Sequence, residues 1–119
     1  MDPIFSKNGT VVAWLCGNEV LDLGGAHRGF INGTSVISYQ TGCHLGWFEQ
    51  GAFWDSQNRA IGMTREVSAS IPRPGFSGVP GRPGIGGRPG RPGIPGTPAK
   101  PGRSGGWSPQ EWNDWMPSK

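Results

Sequence analysis

Short segments rich in β-branched and aromatic residues alternate with turn residues in the first part of the chain. These segments cover residues 11–16, 26–31, 44–49 and 60–64, and Asn, Gly and Asp cluster between them. Turn signals therefore come about every eight residues, which is typical of short antiparallel strands joined by tight turns. The pattern predicts an all-β head of four hairpins, eight strands in total, over residues 1–70.

The head contains four copies of one unit. A small residue followed by a large apolar residue recurs with spacings of 16, 17 and 16 residues, and a second set of turn residues keeps the same spacings. We expect the small residues to approach one another around a common axis, and the large ones to fill a central layer as the repeat core. The small residues are Ala13, Gly29, Gly46 and Gly62; the large ones are Trp14, Phe30, Trp47 and Met63; the turn residues are Gly9, Gly25, Gly42 and Asn58.

These repeats resemble a known family. The twelve residues at 4–15, the recurrence of their pattern at 44–49, the proline-rich periodic tail and the Trp107-Ser108 ending are similar to the small bacterial proteins called four-fold β-flower proteins. The resemblance covers nearly the whole chain. It implies a β-hairpin fold with pseudo-fourfold symmetry, and it implies no established biochemical activity.

Residues 71–106 form a stalk with a three-residue period. Ten of the eleven positions spaced by three from residue 75 to residue 105 are glycine, and proline precedes the next small residue in seven of ten triplets. This Gly-X-Y pattern is typical of collagen-like or polyproline-II chain, in which only glycine fits at a crowded axis. The glycines are Gly75, Gly78, Gly81, Gly84, Gly87, Gly90, Gly93, Gly96, Gly102 and Gly105.

Three structures of the stalk compete at this point. One is a collagen-like triple helix, which would make the protein a trimer. Another packs polyproline-II segments against each other or against the head, and the third is a solvated, semi-rigid spacer. At ~3.1 Å per residue, a fully extended stalk would span roughly 95 Å and would reach a neighbouring chain instead of its own head.

Composition and charge narrow the classes of function. With 22 glycines and 12 prolines among 119 residues, an ordinary compact enzyme domain is excluded. Residues 1–70 hold four cationic and six acidic side chains, whereas residues 71–119 hold seven cationic and two acidic ones. An acidic head and a basic tail can attract each other within one molecule or between molecules.

Five cationic side chains of the stalk follow a glycine or a small residue and point outward in either periodic arrangement. Nucleic acid or another polyanion is one candidate partner, because phosphate neutralisation needs only accessible cations. We favour the other interpretation, solubility together with contact to acidic heads. The five residues are Arg82, Arg88, Arg91, Lys100 and Arg103.

The last segment, residues 107–119, predicts a short helix that docks. Ser108, Pro109 and Glu111 together suit the start of a helix with a capping box, and Trp112, Trp115 and Met116 then share one face. About eight residues are too few for a stable isolated helix. We expect it, with Trp107, to dock on the head near Phe48, Phe53 and Trp54, between chains in preference to within one chain.

Candidate reaction chemistry is sparse. Cys43 adjoins His44, and His27, Asp22 and Asp55 complete a set of potential ligands, but no spacing supports a nucleophile or a metal site. Asp22 and Asp55 recur at equivalent repeat positions, which favours turn or surface roles. We therefore predict no catalytic residue, no cofactor and no metal.

The location is left open by the sequence. No apolar run approaches a membrane span, and the N-terminus lacks the pattern of a secretory signal. The default location is cytoplasmic, and an extracellular fibre is the alternative.

The sequence favours a non-enzymatic structural protein that assembles into a homo-oligomer through its stalk and its Trp-rich end. The alternatives are a binding module and polyanion binding by the Arg-rich tail. The binding module would use Trp14, Trp47 and Trp54 as aromatic sites for sugars or choline-like cations.

Overall fold

The computed structural model describes residues 1–69, 71, 73–103 and 106–116. The predicted stalk glycine Gly105 lies outside these described residues. The strands within them are β1 (Asp2–Phe5), β2 (Val11–Cys16), β3 (Glu19–Leu21), β4 (His27–Asn32), β5 (Ser35–Ser38), β6 (His44–Glu49), β7 (Ala52–Trp54) and β8 (Ala60–Met63), followed by a helix, α1 (Trp112–Trp115).

The eight strands form a closed barrel in which each strand pairs with its neighbour in the chain. All pairs are antiparallel, and β1 closes the ring by pairing with β8 at Phe5 and Met63. Three hairpins turn at glycines with positive φ, namely Gly17, Gly33 and Gly51. The fourth unit has no such turn, because its partner strand is β1, from the other end of the head.

A second kind of turn links one hairpin to the next. Its first residue accepts a hydrogen bond with its side-chain oxygen from the amide two residues later, which closes an Asx or Ser turn. These pairs are Ser6 with Asn8, Asp22 with Gly24, Ser38 with Gln40, and Asp55 with Gln57. The turn role predicted for Asp22 and Asp55 is therefore confirmed.

Each repeat carries one β-bulge. In the first repeat Ile4 pairs with Ala13 and Phe5 pairs with Val11, so Val12 is the extra residue. Bulges bend a strand and increase its twist, which eight strands this short need in order to close a ring. The equivalent bulged residues are Arg28, Leu45 and Ile61.

The small residues of three repeats, Ala13, Gly29 and Gly62, face the C-terminal segment or belong to the cluster around it, whereas Gly46 faces a neighbouring strand. A Cβ on Gly62 would lie 2.8 Å from the Trp112 ring, and a Cβ on Gly29 would lie 3.0 Å from Met116 Cε. A Cβ on Gly46 would lie 1.9 Å from the Trp54 carbonyl oxygen. The small residues thus leave room for the C-terminal segment and for a neighbouring strand. We expected them to approach one another, and this prediction is wrong.

The four large repeat residues are buried, with at most 2% of each exposed. Because side chains alternate along a strand, Trp14 lies on the opposite face of β2 from Ala13 and Leu15, which belong to the cluster around the helix. Trp47 and Met63 belong instead to a second cluster, against which Val79 of the stalk packs. The prediction of a central layer is wrong for Phe30, Trp47 and Met63, because these three side chains lie between the barrel and the chain that follows it.

The chain after the barrel contains no regular element between residues 73 and 103. It passes the four linking turns in order and stays on the head, so that the molecule measures 37 × 35 × 21 Å. A collagen-like stalk is therefore not seen, and neither is an extended one.

The helix α1 is shorter than predicted and has no capping box. Glu111 occupies the N-cap position and makes no side-chain capping bond, whereas Ser108 Oγ accepts a hydrogen bond from the Gln110 amide. The Ser108 amide donates to the Ala60 carbonyl oxygen. Residues 107 and 108 are thus held against β8, and the helix begins only after them.

Candidate functional site

The stalk residues 73–103, called the tail belt below, meet the head at regular intervals. Pro74, Pro83 and Pro92 each lie 3.3–3.4 Å from the position that a Cβ would take on Gly9, Gly25 and Gly42, respectively. In the fourth repeat Asn58 Nδ2 donates to the Pro101 carbonyl oxygen at 2.8 Å. The four prolines are spaced by nine residues, so three Gly-X-Y triplets span one repeat of the barrel.

Backbone hydrogen bonds hold the tail belt at the first two turns. The amide of Ser77 donates to the Gly9 carbonyl oxygen, and the amide of Gly86, nine residues later, donates to that of Gly25, both at 2.9 Å. Pro95 occupies the third equivalent position and has no N–H to donate. The third turn therefore contacts the belt through the packing of Pro92 on Gly42, without the backbone hydrogen bond that the first two turns have.

Each nine-residue unit of the belt is counted from the residue before Pro74, Pro83, Pro92 or Pro101. In some of these units the first or the fourth side chain covers the outer face of the barrel. In the first position, the Arg91 guanidinium lies 4.7 Å from the centroid of the Phe30 ring, and Lys100 Nζ lies 5.2 Å from that of Trp47. In the fourth position, Phe76 stacks on Phe5 at 4.1 Å. Arg103, also in the fourth position, lies 3.7 Å above the Trp54 ring. Such cation–π contacts add electrostatic attraction to the burial of the rings.

Glu19 is the first of two carboxylate anchors for the tail belt. Its Oε2 atom accepts a hydrogen bond from Arg91, and its Oε1 atom accepts one from the Tyr39 hydroxyl and lies 3.0 Å from His27 Nδ1. The other ring nitrogen of His27 lies 3.0 Å from the Gly86 carbonyl oxygen. Burial raises the pKa of Glu19, but the bonds from Tyr39, Arg91 and His27 outweigh it and lower the pKa overall.

Glu49 is the second anchor and binds two cations of the belt. Its Oε1 atom lies 2.7 Å from Lys100 Nζ and 2.6 Å from Arg103 Nη2, and the other Arg103 nitrogen donates to Gln50 Oε1. The hydrogen bond from Lys100 is the largest cause that holds the pKa of Glu49 below its usual value. The acidic head and the basic tail therefore attract each other within one molecule.

The five cations proposed for polyanion contact fall into two groups. Arg91, Lys100 and Arg103 bind the two anchors described above. Arg82 and Arg88 are exposed, and within the described part of the chain neither makes an ion pair. The charge of the tail is thus neutralised locally on one part of the belt and left accessible on another.

The predicted docking residues also divide into two groups. Phe53 contacts the rings of Trp112 and Trp115 edge-on at 5.2 and 6.3 Å, and Phe48 packs on Phe53. Trp115 also donates its indole N–H to the Leu45 carbonyl oxygen at 2.9 Å. Trp54 faces the belt instead, while Met116 joins the cluster around α1 and Trp107 bridges to Ala60. The structure thus places this segment on the head of its own chain, the arrangement that the sequence analysis ranked second.

The three tryptophans proposed as aromatic binding sites do not form open sites in the described structure. Trp14, Trp47 and Trp54 are each at most 2% exposed, and the last two already hold a cation of the tail belt. A surface pocket of about 300 Å³ lies between the first two linking turns, with Leu23 and Asn113 on its walls. A shallow site for sugars or quaternary amines on Trp47 or Trp54 would require the belt to leave.

Other chemically active side chains are scattered. The thiols of Cys16 and Cys43 are unpaired, and the described residues contain no group of three His, Cys, Asp or Glu side chains suited to a metal ion. Both ring nitrogens of His44 are shielded from solvent without a hydrogen-bond partner, and burial lowers its pKa. In the part of the chain that the structure covers, no helix has the length and apolarity to cross a bilayer.

Sequence reasoning missed the nine-residue spacing and the two anchors. A signal for the first is present, since a cation followed by Pro and Gly recurs every nine residues at Arg73, Arg82, Arg91 and Lys100, with one further copy at Arg88 outside this spacing. The stronger three-residue glycine period concealed it. No comparable signal marks Glu19 or Glu49, because nothing in the repeats shows which tail residue reaches them.

The fold and its belt define a class of protein, a closed eight-stranded barrel with four similar units and a Gly/Pro-rich tail bound around them. The family model described as "4-fold beta flower protein" matches residues 2–116, and the chain belongs to this family. Neither a search of curated proteins nor a search of solved structures found a match.

Proposed function

We propose that this protein is a non-enzymatic structural module in which the tail belt fastens the barrel, and that copies associate by exchanging tails. The observation that carries this proposal is the match in spacing between belt and barrel: nine belt residues, or three Gly-X-Y triplets, separate the contacts with successive linking turns. A tail that served only as a spacer would need no such match.

The seam between β1 and β8 is where fastening matters most. It contains one pair of facing residues, Phe5 and Met63, whereas the other strand pairs contain three or four. Val67, Ala69 and Ile71 pack against this pair, and Phe76 stacks on Phe5. The start of the tail therefore buries the weakest joint of the ring, which supports a structural role for the tail.

Exchange between copies would use the same contacts. The belt binds through separate local sites at each turn and anchor, so a tail released from its own head would find equivalent sites on a second copy. The resulting homo-oligomer would bury the same residues in each head, with no new interface.

Light scattering on a pair of charge-reversed variants tests this association. The head variant carries Glu19→Arg and Glu49→Arg, and the tail variant carries Arg91→Glu, Lys100→Glu and Arg103→Glu. Each variant repels its own tail at the anchors, but either head matches the other chain's tail. We expect the mixture to show twice the mass of one chain.

Mixing the head variant with wild-type chain is the matched control, because the wild-type head keeps its own tail. If the two variants keep the near-UV circular dichroism of the wild-type protein and their mixture stays at the mass of one chain, the proposal that copies exchange tails is wrong.

A second candidate function is contact with a polyanion, favoured by the exposure of Arg82 and Arg88. These two cations lie on the belt without an ion pair in the described structure. A gel shift with single-stranded nucleic acid at low salt, repeated with Arg82→Gln/Arg88→Gln, tests it. Retardation that the double variant abolishes would support this function, and no retardation of the wild-type chain would refute it.

A further inference from the structure

We infer that the outer face of the barrel is a receptor for basic, Pro/Gly-rich extended peptides of other proteins, and that Glu19 and Glu49 are its two anchors. This inference rests on the proposed function, because it requires the belt to be exchangeable. It goes further by naming the chemistry and the spacing that a partner must have.

The anchors define the chemistry of the peptide. Each anchor combines a carboxylate with one or two aromatic ring faces, because the same tail cation contacts both groups. Glu19 shares its cation with Phe30. Glu49 shares its two cations with Trp47 and Trp54. A carboxylate and a ring face together select a guanidinium or an ammonium group. A peptide without cations would leave Glu49 without the two cations that it binds here, and Glu19 with only Tyr39 and His27 of the head.

The residues after each cation define the backbone of the peptide. Pro92 follows Arg91 and packs on Gly42, and Pro101 follows Lys100 and accepts the bond from Asn58. A glycine comes next in both units. The preferred ligand therefore contains cation-Pro-Gly, and Pro also reduces the conformational entropy that binding removes.

The geometry of the barrel defines the spacing. Arg91 and Lys100, which occupy the two anchors, are nine residues apart, and this separation follows one repeat of the barrel. A peptide with the same residues at another spacing would reach one anchor at a time. It would lose the gain of binding two linked sites at once.

Fluorescence anisotropy with two labelled peptides tests the inference on the full chain. The parent peptide has the sequence of residues 91–103, which omits Arg88. In the control peptide the triplet Ile94-Pro95-Gly96 is moved to follow Gly102. This keeps the composition and the glycine period, shortens the spacing of the two cation-Pro-Gly motifs from nine residues to six, and leaves no two cations nine residues apart. The receptor is the tail variant Arg91→Glu/Lys100→Glu/Arg103→Glu, whose own tail is repelled from both anchors.

We expect the parent peptide to bind the tail variant and the control peptide to bind it roughly tenfold more weakly or worse. Wild-type chain should bind the parent peptide weakly, because its own tail occupies the anchors. Adding Glu49→Gln to the tail variant should also weaken binding of the parent peptide.

Two results would overturn the inference. Equal affinities for the two peptides would show general charge attraction, and no binding of the parent peptide to a folded tail variant would show that the sites act only within the chain. If the tail variant does not fold, Arg91→Gln/Lys100→Gln/Arg103→Gln replaces it. Peptide binding with no mixed dimer in light scattering would leave a receptor that does not self-associate, so the two proposals can fail separately.

Discussion

At the scale of single residues, the linking turns explain why particular glycines are needed. Gly25 has a φ of +90°, and a Cβ there would lie 1.8 Å from the Gly84 carbonyl oxygen. Gly17 also has a positive φ, +59°, but a Cβ there would meet nothing within 4 Å. The two glycines therefore share the backbone requirement, and Gly25 alone makes room for the belt.

We predict that Gly25→Ala destabilises the protein more than Gly17→Ala does. The positive φ costs either alanine about 1 kcal/mol, while Gly25→Ala also displaces the belt at its second turn. Urea unfolding measures the difference in the free energy of unfolding, and hydrogen exchange at Gly86 reports the loss of its bond to Gly25. Equal effects of the two substitutions would show that the belt does not bind this turn.

The sequence was most informative about residues in local turns. Glycine spacing and the recurrence of Asp22 and Asp55 depend on a few neighbouring residues, so these features could be inferred directly. Glu19 and Glu49 act through partners more than fifty residues away in the chain. Their role depends on the path of the tail, which no local pattern encodes.

At the scale of elements, the C-terminal helix illustrates how tertiary contacts override a local signal. The sequence at 108–111 suits a capping box, but the Ser108 amide binds Ala60 on β8. The helix that remains has four residues and owes its stability to Trp112 and Trp115, which are each 5% exposed. Its packing on the barrel, and not the helix propensity of its residues, keeps it helical.

We predict that Trp112→Ala costs about 3–5 kcal/mol of unfolding free energy, because its ring fills the space above Gly62. Trp115→Phe, which keeps most of the ring but loses the hydrogen bond to Leu45, should cost only about 1 kcal/mol. Chemical denaturation of both variants measures the two values. A small effect of Trp112→Ala would mean that the helix is not part of the core.

The tail shows a related limit of sequence reasoning at this scale. Its three-residue period is evident in the sequence, but a Gly-X-Y pattern serves equally well for a triple helix and for a chain that lies close to another backbone. The contact of Gly75 and Gly84 with turn glycines is the second kind. The choice between them depends on whether the head offers matching sites.

At the scale of the whole molecule, the same tail length supports two opposite conclusions. About 95 Å of extended chain reaches past the head, yet it also suffices to follow the edge of a disc that measures 37 × 35 Å. The opposite charges of head and tail favour the second path once the two lie in one molecule. The all-β repeat fold was predictable, whereas the closed belt needed the structure.

We predict that acid weakens the attachment of the belt. The pKa values of Glu19 and Glu49 are lowered from a usual value of 4.5, so their contribution to stability is complete above about pH 4.5 and is lost as the pH falls through the lower, folded-state values. The double variant Glu19→Gln/Glu49→Gln should be less stable near neutral pH by about 1–2 kcal/mol and should lose less stability in acid.

Unfolding monitored by tryptophan fluorescence across the acid range checks this prediction. Glu66→Gln is the matched control, because Glu66 is exposed and makes no ion pair among the described residues. An acid dependence that is identical in the wild-type chain and in the double variant would mean that the anchors do not contribute.

The central claim is that the tail binds its barrel in nine-residue register, and hydrogen exchange at single amides tests it most directly. Ser77 and Gly86 donate to turn carbonyls, whereas their neighbours Gly78 and Gly87 make no such bond in the described structure. We predict slow exchange at Ser77 and Gly86 and fast exchange at Gly78 and Gly87. Uniformly fast exchange through all four amides would contradict the account.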